Sequence, residues 1–357
     1  MKDTHNIVHN ADFSQLDALY AGKKLYFGDL HCHSNSGGTS DGKKPIADFV
    51  DGMKKLGVDF ASIVDHRQMR HMFLDAWDDN YFICGSEPGT RLDGCDRPSA
   101  ACSLHYLMVF PDKFGLQKVF DRYPRFHFKG DALTGEFSYP CFTPEEFTAL
   151  AEYIYSIGGL LTHAHPKQVM ESDNPLHYYF GDKVPLETVY TFDPNSAVAE
   201  TSANRDLWVT LLKMGKRMHT YGCSDTHSEV RNTGLTALYC SEHTGKEALS
   251  VWRTGNVTAG AIGIKMSIDS TPMGSAVKYC PGQILYLKTD AFHPAYIKEN
   301  DVFTLTVYTD TGIAYQTQFN GTEQSIALEV RERMFYRVEV TDQNGTYIAI
   351  SNPIWLD

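Results

Sequence analysis

KLYFGDLHCH, residues 24–33, is an apolar run that ends on two histidines two positions apart. Side chains two apart on an extended strand share a face, so the run reads as a buried first strand that brings His31 and His33 to one end together. An H-x-H pair alone is a common coincidence, and its weight depends on the rest of the chain. In KKPIADFVDGMKKLG, Ile46, Phe49, Val50 and Met53 fall at helical spacing and Gly57 supplies a stop. VDFASIVDH reads as a second buried strand, and YFICGSE and LHYLMVF as two more. Thr143 can cap a helix with Pro144 at its first position and Glu146 closing a capping box, and Gly158-Gly159 ends it before the strand GLLTHAHP. AVAETSA, the helix RDLWVTLLKMG and the strand RMHTYGCSDTH complete the series. From about Leu25 to Gly260 this alternation predicts an α/β unit with a parallel sheet, with long loops around one strand between Pro88 and Cys141.

Beyond Gly260 the period changes to two. In FYRVEV, Tyr336, Val338 and Val340 are expected to face one way and Arg337 and Glu339 the other, while Asn320-Gly321 and Asn344-Gly345 mark tight turns. The expected division is an N-terminal extension (1–24), an α/β unit (25–260) and a small antiparallel, sandwich-like β unit (261–357). The 357 residues, 42% hydrophobic and 21% charged, are ordinary globular usage and exclude a disordered or fibrous chain. With 32 basic against 44 acidic residues, a formal charge of −12 and no basic track interleaved with aromatics, long nucleic acid is not an expected partner. Eight cysteines are spread singly, the N-terminus has no apolar leader core, and no run approaches the roughly 18 apolar residues of a membrane span. A cytoplasmic protein with no membrane partner is expected.

The histidines, 15 in all, gather where the strands end. His31, His33, Asp41, His66, Glu87, His105, His163, His165, Asp225 and His227 all fall at or just beyond the C-terminal ends of predicted strands. In a parallel barrel those ends converge on one mouth, where active sites are built. Taken singly, Asp41-Gly42 could be a turn, Asp65-His66 a satisfied polar pair and Glu87 a loop acid. Together, so many imidazoles and carboxylates without a cation would leave costly unpaired groups. Among cations beside these motifs, Arg67 is the first candidate to hold substrate. Arg91, Lys167, Arg205 and Arg231 read more simply as surface charges. Asp65 falls on the opposite strand face and reads as structural, and His71, His127 and His177 as exposed or loop residues.

GDLHCHS with SDG, IVDH, GSE, LHYL, HAHP and GCSDTH, in that order over residues 25–230, resemble the motifs of the PHP superfamily, the polymerase and histidinol phosphatase domains. The resemblance implies a distorted (β/α)7 TIM-like barrel with two to three divalent zinc, iron or manganese ions in a trinuclear site. Carried over by position, it implies one ion on His31, His33, Glu87 and Asp225, a second on Asp41, His66 and His227, and a third on Glu87, His105 and His165. The spacing from His33 to Asp41 is longer than in common members. Either His163 or His165 can be the last ligand; the position before Pro166 fits the family better, which leaves His163 either to brace the ligands or to act as a proton donor. Three ions against three carboxylates leave a local charge of about +3, a hole suited to phosphate. The implied activity is hydrolysis of a small phosphoester by metal-activated hydroxide, with Glu87, His163 and Arg67 in the chemistry. YFGDLH, NRDLW and the trailing β unit also resemble the branch containing carbamate and carboxylic-ester hydrolases. The remaining alternative is a non-catalytic, metal-stabilised binding module, and oligomeric state is not legible.

Overall fold

The computed structural model describes residues 5–93, 102–131, 133–296, 301–321 and 323–357; Cys95 and the middle of the expected loop after Pro88 lie outside them. The strands of the first part are β1 (Lys24–Cys32), β2 (Phe60–Ile63), β3 (Phe82–Ser86), β4 (Ser103–Phe110), β5 (Leu160–His163), β6 (Leu186–Tyr190), β7 (Thr220–Cys223), β8 (Thr236–Cys240) and β9 (Val257–Gly260). They lie in one mixed sheet in the order β7-β6-β5-β4-β3-β2-β1-β8-β9. β1 is buried continuously from Phe27 to Cys32, as a strand covered on both faces must be. One apolar cluster takes Leu30, Phe60, Ile83, Leu107, Leu160, Tyr190 and Tyr221, a residue from each of β1 to β7. The arc's two ends meet at a single parallel bridge between Cys32 and Thr226.

The sheet is not purely parallel, which corrects the sequence reading. β1, β2 and β3 are parallel, as are β5, β6 and β7, but β4 runs antiparallel to both β3 and β5. After β3 the chain turns back along Gly89–Arg91, which pairs antiparallel with the start of β4. Among the described residues between β3 and β4 there is no crossover helix, and β4 pairs antiparallel with β3.

The helices of eight residues or more are α1 (Ala47–Leu56), α2 (Gly115–Arg122), α3 (Pro144–Ser156), α4 (Ala197–Lys213) and α5 (Gly245–Thr254) among the described residues. α1 buries Phe49 and Met53 one turn apart and stops at Gly57, whose φ of 74° suits a residue without Cβ. The capping box of α3 forms as expected: the Glu146 N–H donates to Thr143 Oγ1 at 3.2 Å and the Thr143 N–H to Glu146 Oε2 at 3.0 Å. AVAETSA forms the first two turns of α4, continuous with RDLWVTLLK, and the strand before it is LETVY, β6. Alanine and glutamate favour helix, and Thr201, Asn204, Leu207, Trp208 and Leu211 form one continuous buried stripe.

The C-terminal strands are β10 (Ile262–Ile268), β11 (Ile284–Phe292), β12 (Phe303–Thr309), β13 (Gly312–Phe319), β14 (Ser325–Glu329), β15 (Phe335–Thr341) and β16 (Tyr347–Ser351). β10, β11 and β14 form one antiparallel sheet, while β16 pairs with β9 and so extends the large sheet through β15 and β12 to β13. Both faces contribute to one core that includes Ile264, Leu287, Leu328, Leu305 and Val338. Arg337 and Glu339 do face away from this core, but they are buried at 2% exposure against α4. At the N-terminus, Ile7 bridges Leu328 and the Val8 N–H donates to the Ala327 carbonyl, so the chain's start lies along β14. Among the described residues no helix is long and apolar enough to cross a membrane.

Candidate metal centre

Each donor reaches the same end of the sheet by a local rule. His31 and His33 share a face of β1 while Cys32 between them points into the core around Phe49 and Met53. His66 and Glu87 follow the ends of β2 and β3, His165 follows β5, and Asp225 and His227 follow β7. His105 arrives differently: it lies near the start of its strand, and the reversal of β4 brings that start to the mouth. Asp41 comes from the loop after β1, which is tied down where the Lys43 N–H donates to the His227 carbonyl at 2.8 Å.

These nine residues form three overlapping groups of donor atoms. In the first, Nε2 of His31 and Nε2 of His33 lie 3.1 Å apart, each 3.1 Å from Glu87 Oε2 and 3.1–3.2 Å from Asp225 Oδ1. All four are at most 5% exposed. In the second, Asp41 Oδ2 is 3.3 Å from His227 Nε2 and 3.5 Å from His66 Nε2, and His33 Nδ1 stands 3.7 Å from Asp41 Oδ1. In the third, Glu87 Oε1 is 3.0 Å from His105 Nδ1 and 3.2 Å from His165 Nε2. Glu87 therefore gives one oxygen to the first group and the other to the third.

The donor set fits divalent cations. A tetrahedral shell at about 2.0–2.1 Å has edges of about 3.3 Å, close to the separations in the first group. His33 Nδ1, His105 Nδ1, His165 Nδ1 and Asp225 Oδ1 are buried without a hydrogen-bond partner, which is costly unless a cation or proton serves them. Burial alone would neutralise Glu87, Asp225, His31, His33 and His165, yet these five favour one another's charged forms. The imidazoles around Glu87 keep its carboxyl well below the usual carboxylate range, and His31 and His33 do the same for Asp225. Against their own burial, Asp225 and Glu87 push His33 up to about 9 and, with Glu187, raise His31 and His165. A metal ion at these points would take the place of those protons.

Further residues brace the donors. Glu187 and Tyr190 were missed by the sequence reading because β6 was; the β-branched and aromatic run LETVY after Pro185 was the available signal. Glu187 Oε1 faces His31 Nδ1 at 3.2 Å and Oε2 accepts the His165 N–H at 2.7 Å, while the Tyr190 hydroxyl donates to Asp225 Oδ2 at 2.8 Å. Asp65 is structural, as expected: it accepts from the Ser34 N–H and hydroxyl at 2.6 and 2.8 Å and faces His71 at 3.2 Å. His71 is thus fully buried rather than exposed, because Asp65 holds it. Three of the five described non-glycine residues with positive φ are Arg67 (49°), His165 (23°) and Asp225 (51°), all at this mouth, where strained backbone is characteristic of function.

Other candidates are placed elsewhere. His163 ends β5, its Nδ1 is 3.3 Å from the Tyr178 carbonyl, and its ring lies against Tyr178 and Phe180, outside the three groups. The one-face spacing with His165 fails because the strand stops at His163. Arg67 is exposed beside His66, and the exposed Arg91 sits in the short strand that returns to β4. Arg205 pairs with Glu339, Arg231 donates to the carbonyls of Thr191 and Phe192, and Lys167 reaches the Tyr178 hydroxyl. His127 is exposed, and His177 meets the Ser172 hydroxyl at 2.7 Å.

No protein-family profile and no curated protein matches this sequence. Its structural neighbours include the following proteins. One is a protein described as a metal-dependent phosphoesterase from Bifidobacterium adolescentis: TM-score 0.37, 17% identity, 58% of this chain and 90% of that one. Another is the lesion-specific endonuclease Q of Pyrococcus furiosus (0.41, 18%, 64% and 55%), and a further match is an endonuclease Q in complex with a duplex carrying an abasic lesion (0.40, 16%, 64% and 56%). One more is an amidohydrolase from Chromobacterium violaceum (0.36, 11%, 58% and 89%). Likeness of this degree is silent about chemistry, which has to be read from the site itself.

Proposed function

We propose that this protein is a metal-dependent hydrolase of the PHP type acting on a small phosphoester. The observation that carries the reading is the convergence of nine His, Asp and Glu donors into three groups joined by the two oxygens of Glu87. In this reading the arc from β1 to β7 is the distorted seven-stranded barrel, and residues 261–357 form a brace behind it. His31, His33, Glu87 and Asp225 hold one ion, Asp41, His66 and His227 a second, and Glu87, His105 and His165 a third. Such ions supply Lewis-acid polarisation and a water acidified toward neutral pH.

The chain's own residues do the rest. Burial of His31, His33, Glu87 and Asp225 keeps bulk water from the inner group, while His66 and His227 (22% exposed), His105 (33%) and Asp41 (51%) form the open side that substrate meets. Tyr190 holds Asp225, and Glu187 holds His31 and the turn at His165. Arg67, exposed beside His66, supplies a cation for phosphate oxygens at the rim. The three carboxylates leave the loaded site near +3, which favours a phosphate over an uncharged carbonyl. The test is a panel of phosphomonoesters, phosphodiesters, carboxylic esters and carbamates with zinc, manganese or iron supplied. Hydrolysis of phosphoesters that Glu87→Ala abolishes is the expected result. Turnover of carbonyl substrates alone, or activity unchanged in Glu87→Ala, overturns the proposal.

A further inference from the structure

We infer that Glu187 is a positioning residue that couples two of the three donor groups, fixing the ring of His31 in the first and the turn at His165 in the third. The inference rests on the metal reading above and goes beyond its ligands. Glu187 lies on β6 between Leu186 and Thr188, fully buried, where an unpaired carboxylate would be prohibitively costly. It spends one oxygen on each group: Oε1 is 3.2 Å from His31 Nδ1, and Oε2 is 2.7 Å from the His165 backbone nitrogen.

The first contact decides a tautomer. With an ion held among His31, His33, Glu87 and Asp225, the imidazole proton belongs on Nδ1 facing the Glu187 carboxylate, which leaves the Nε2 lone pair for the ion those four residues would share. The second contact decides a backbone conformation. His165 has φ 23° and ψ 60°, a left-handed conformation that residues with a Cβ rarely adopt, and it precedes Pro166, which narrows its choices further. The charge-assisted bond from its N–H to Glu187 holds that turn, which lays His165 Nε2 3.2 Å from Glu87 Oε1. Cys223 lies with Glu187 and His31 in a fourth cluster of donor atoms, where burial pushes its thiol well above the usual range.

Glu187→Gln is isosteric and separates these roles from bulk. Its amide N–H2, turned to His31, forces Nδ1 to accept and moves the ring proton onto Nε2, where a ligand needs a lone pair. The experiment is titration of chelator-stripped full-length protein with Co2+, reading stoichiometry, affinity and visible absorption. We expect Glu187→Gln to weaken binding about 10–100-fold at two positions and to leave the Asp41–His66–His227 position at wild-type affinity. A second measurement needs no variant: 15N chemical shifts of His31 in the Zn2+-loaded wild type should report a protonated Nδ1. Equal Co2+ binding by wild type and Glu187→Gln, or an unprotonated His31 Nδ1, overturns the coupling and leaves the metal reading standing. No Co2+ binding by the wild type overturns the metal reading itself.

Discussion

Glu339→Ala should be among the most damaging single changes outside the mouth. Glu339 receives Arg205 through Nε at 2.6 Å and NH2 at 3.0 Å, and it also pairs with Arg337. Arg337 is 2% exposed, lies 4.6 Å over the Tyr308 ring and 5.6 Å over Trp208, and its Nε has no partner. An exposed ion pair would be worth about 0–1 kcal/mol. Removing one member of a buried one strands the other charge, at about 3–5 kcal/mol. Arg205 keeps Asp206 at 2.7 Å, so Arg337 bears most of the loss. Glu339→Gln retains the shape and part of the hydrogen bonding and should cost less, about 1.5–3 kcal/mol. The assay is urea unfolding of both variants beside the wild type. The consequence reaches the mouth, because Arg205 shares α4 with Thr201, which accepts the Tyr190 N–H, and Asn204, which accepts the Lys167 N–H. A loss below about 1 kcal/mol for Glu339→Ala, the range of an exposed pair, would mean that Arg337 is served by solvent and that no buried charge is stranded.

Burial, with Arg331 nearby, pushes His5 down to about 4, so the native chain holds it neutral while the unfolded chain protonates it near 6.5. Stability is then complete above pH 6.5 and falls as pH drops toward 4. Thermal unfolding of His5→Gln over this window should show a shallower loss, and an unchanged slope would rule His5 out. Phe192, 37% exposed, sets its ring 5.4 Å from that of His227, so Phe192→Ala should raise KM for aryl phosphates about 2–10-fold and leave alkyl phosphates unchanged. Equal effects on both substrate classes would remove Phe192 from the substrate's path.

The candidate donors were legible because strand periodicity and strand ends are local: H-x-H at 31 and 33, the histidine of IVDH and the glutamate of GSE need only their own segments to be placed. Strand direction is not local. His105 was counted at a strand's C-terminal end, yet it reaches the mouth from the N-terminal side, since β4 is reversed by pairing with Gly89–Arg91. The bracing residues escaped for a related reason: Glu187 and Tyr190 sit on LETVY, a five-residue strand too short to stand out between Pro185 and the helix that begins at Ala197. Arg337 and Glu339 were assigned to the correct face of β15, but period-two alternation reports a face and not what covers it. His163 and His165 show the limit from the other side, where a two-residue spacing carries meaning only while the strand continues.

Everything proposed for the mouth depends on its donors holding metal. Elemental analysis of the full-length protein, purified without chelator, decides the point. Two to three transition-metal ions per chain are expected, and a chain that carries none, even after exposure to zinc, manganese and iron, would contradict the metal centre.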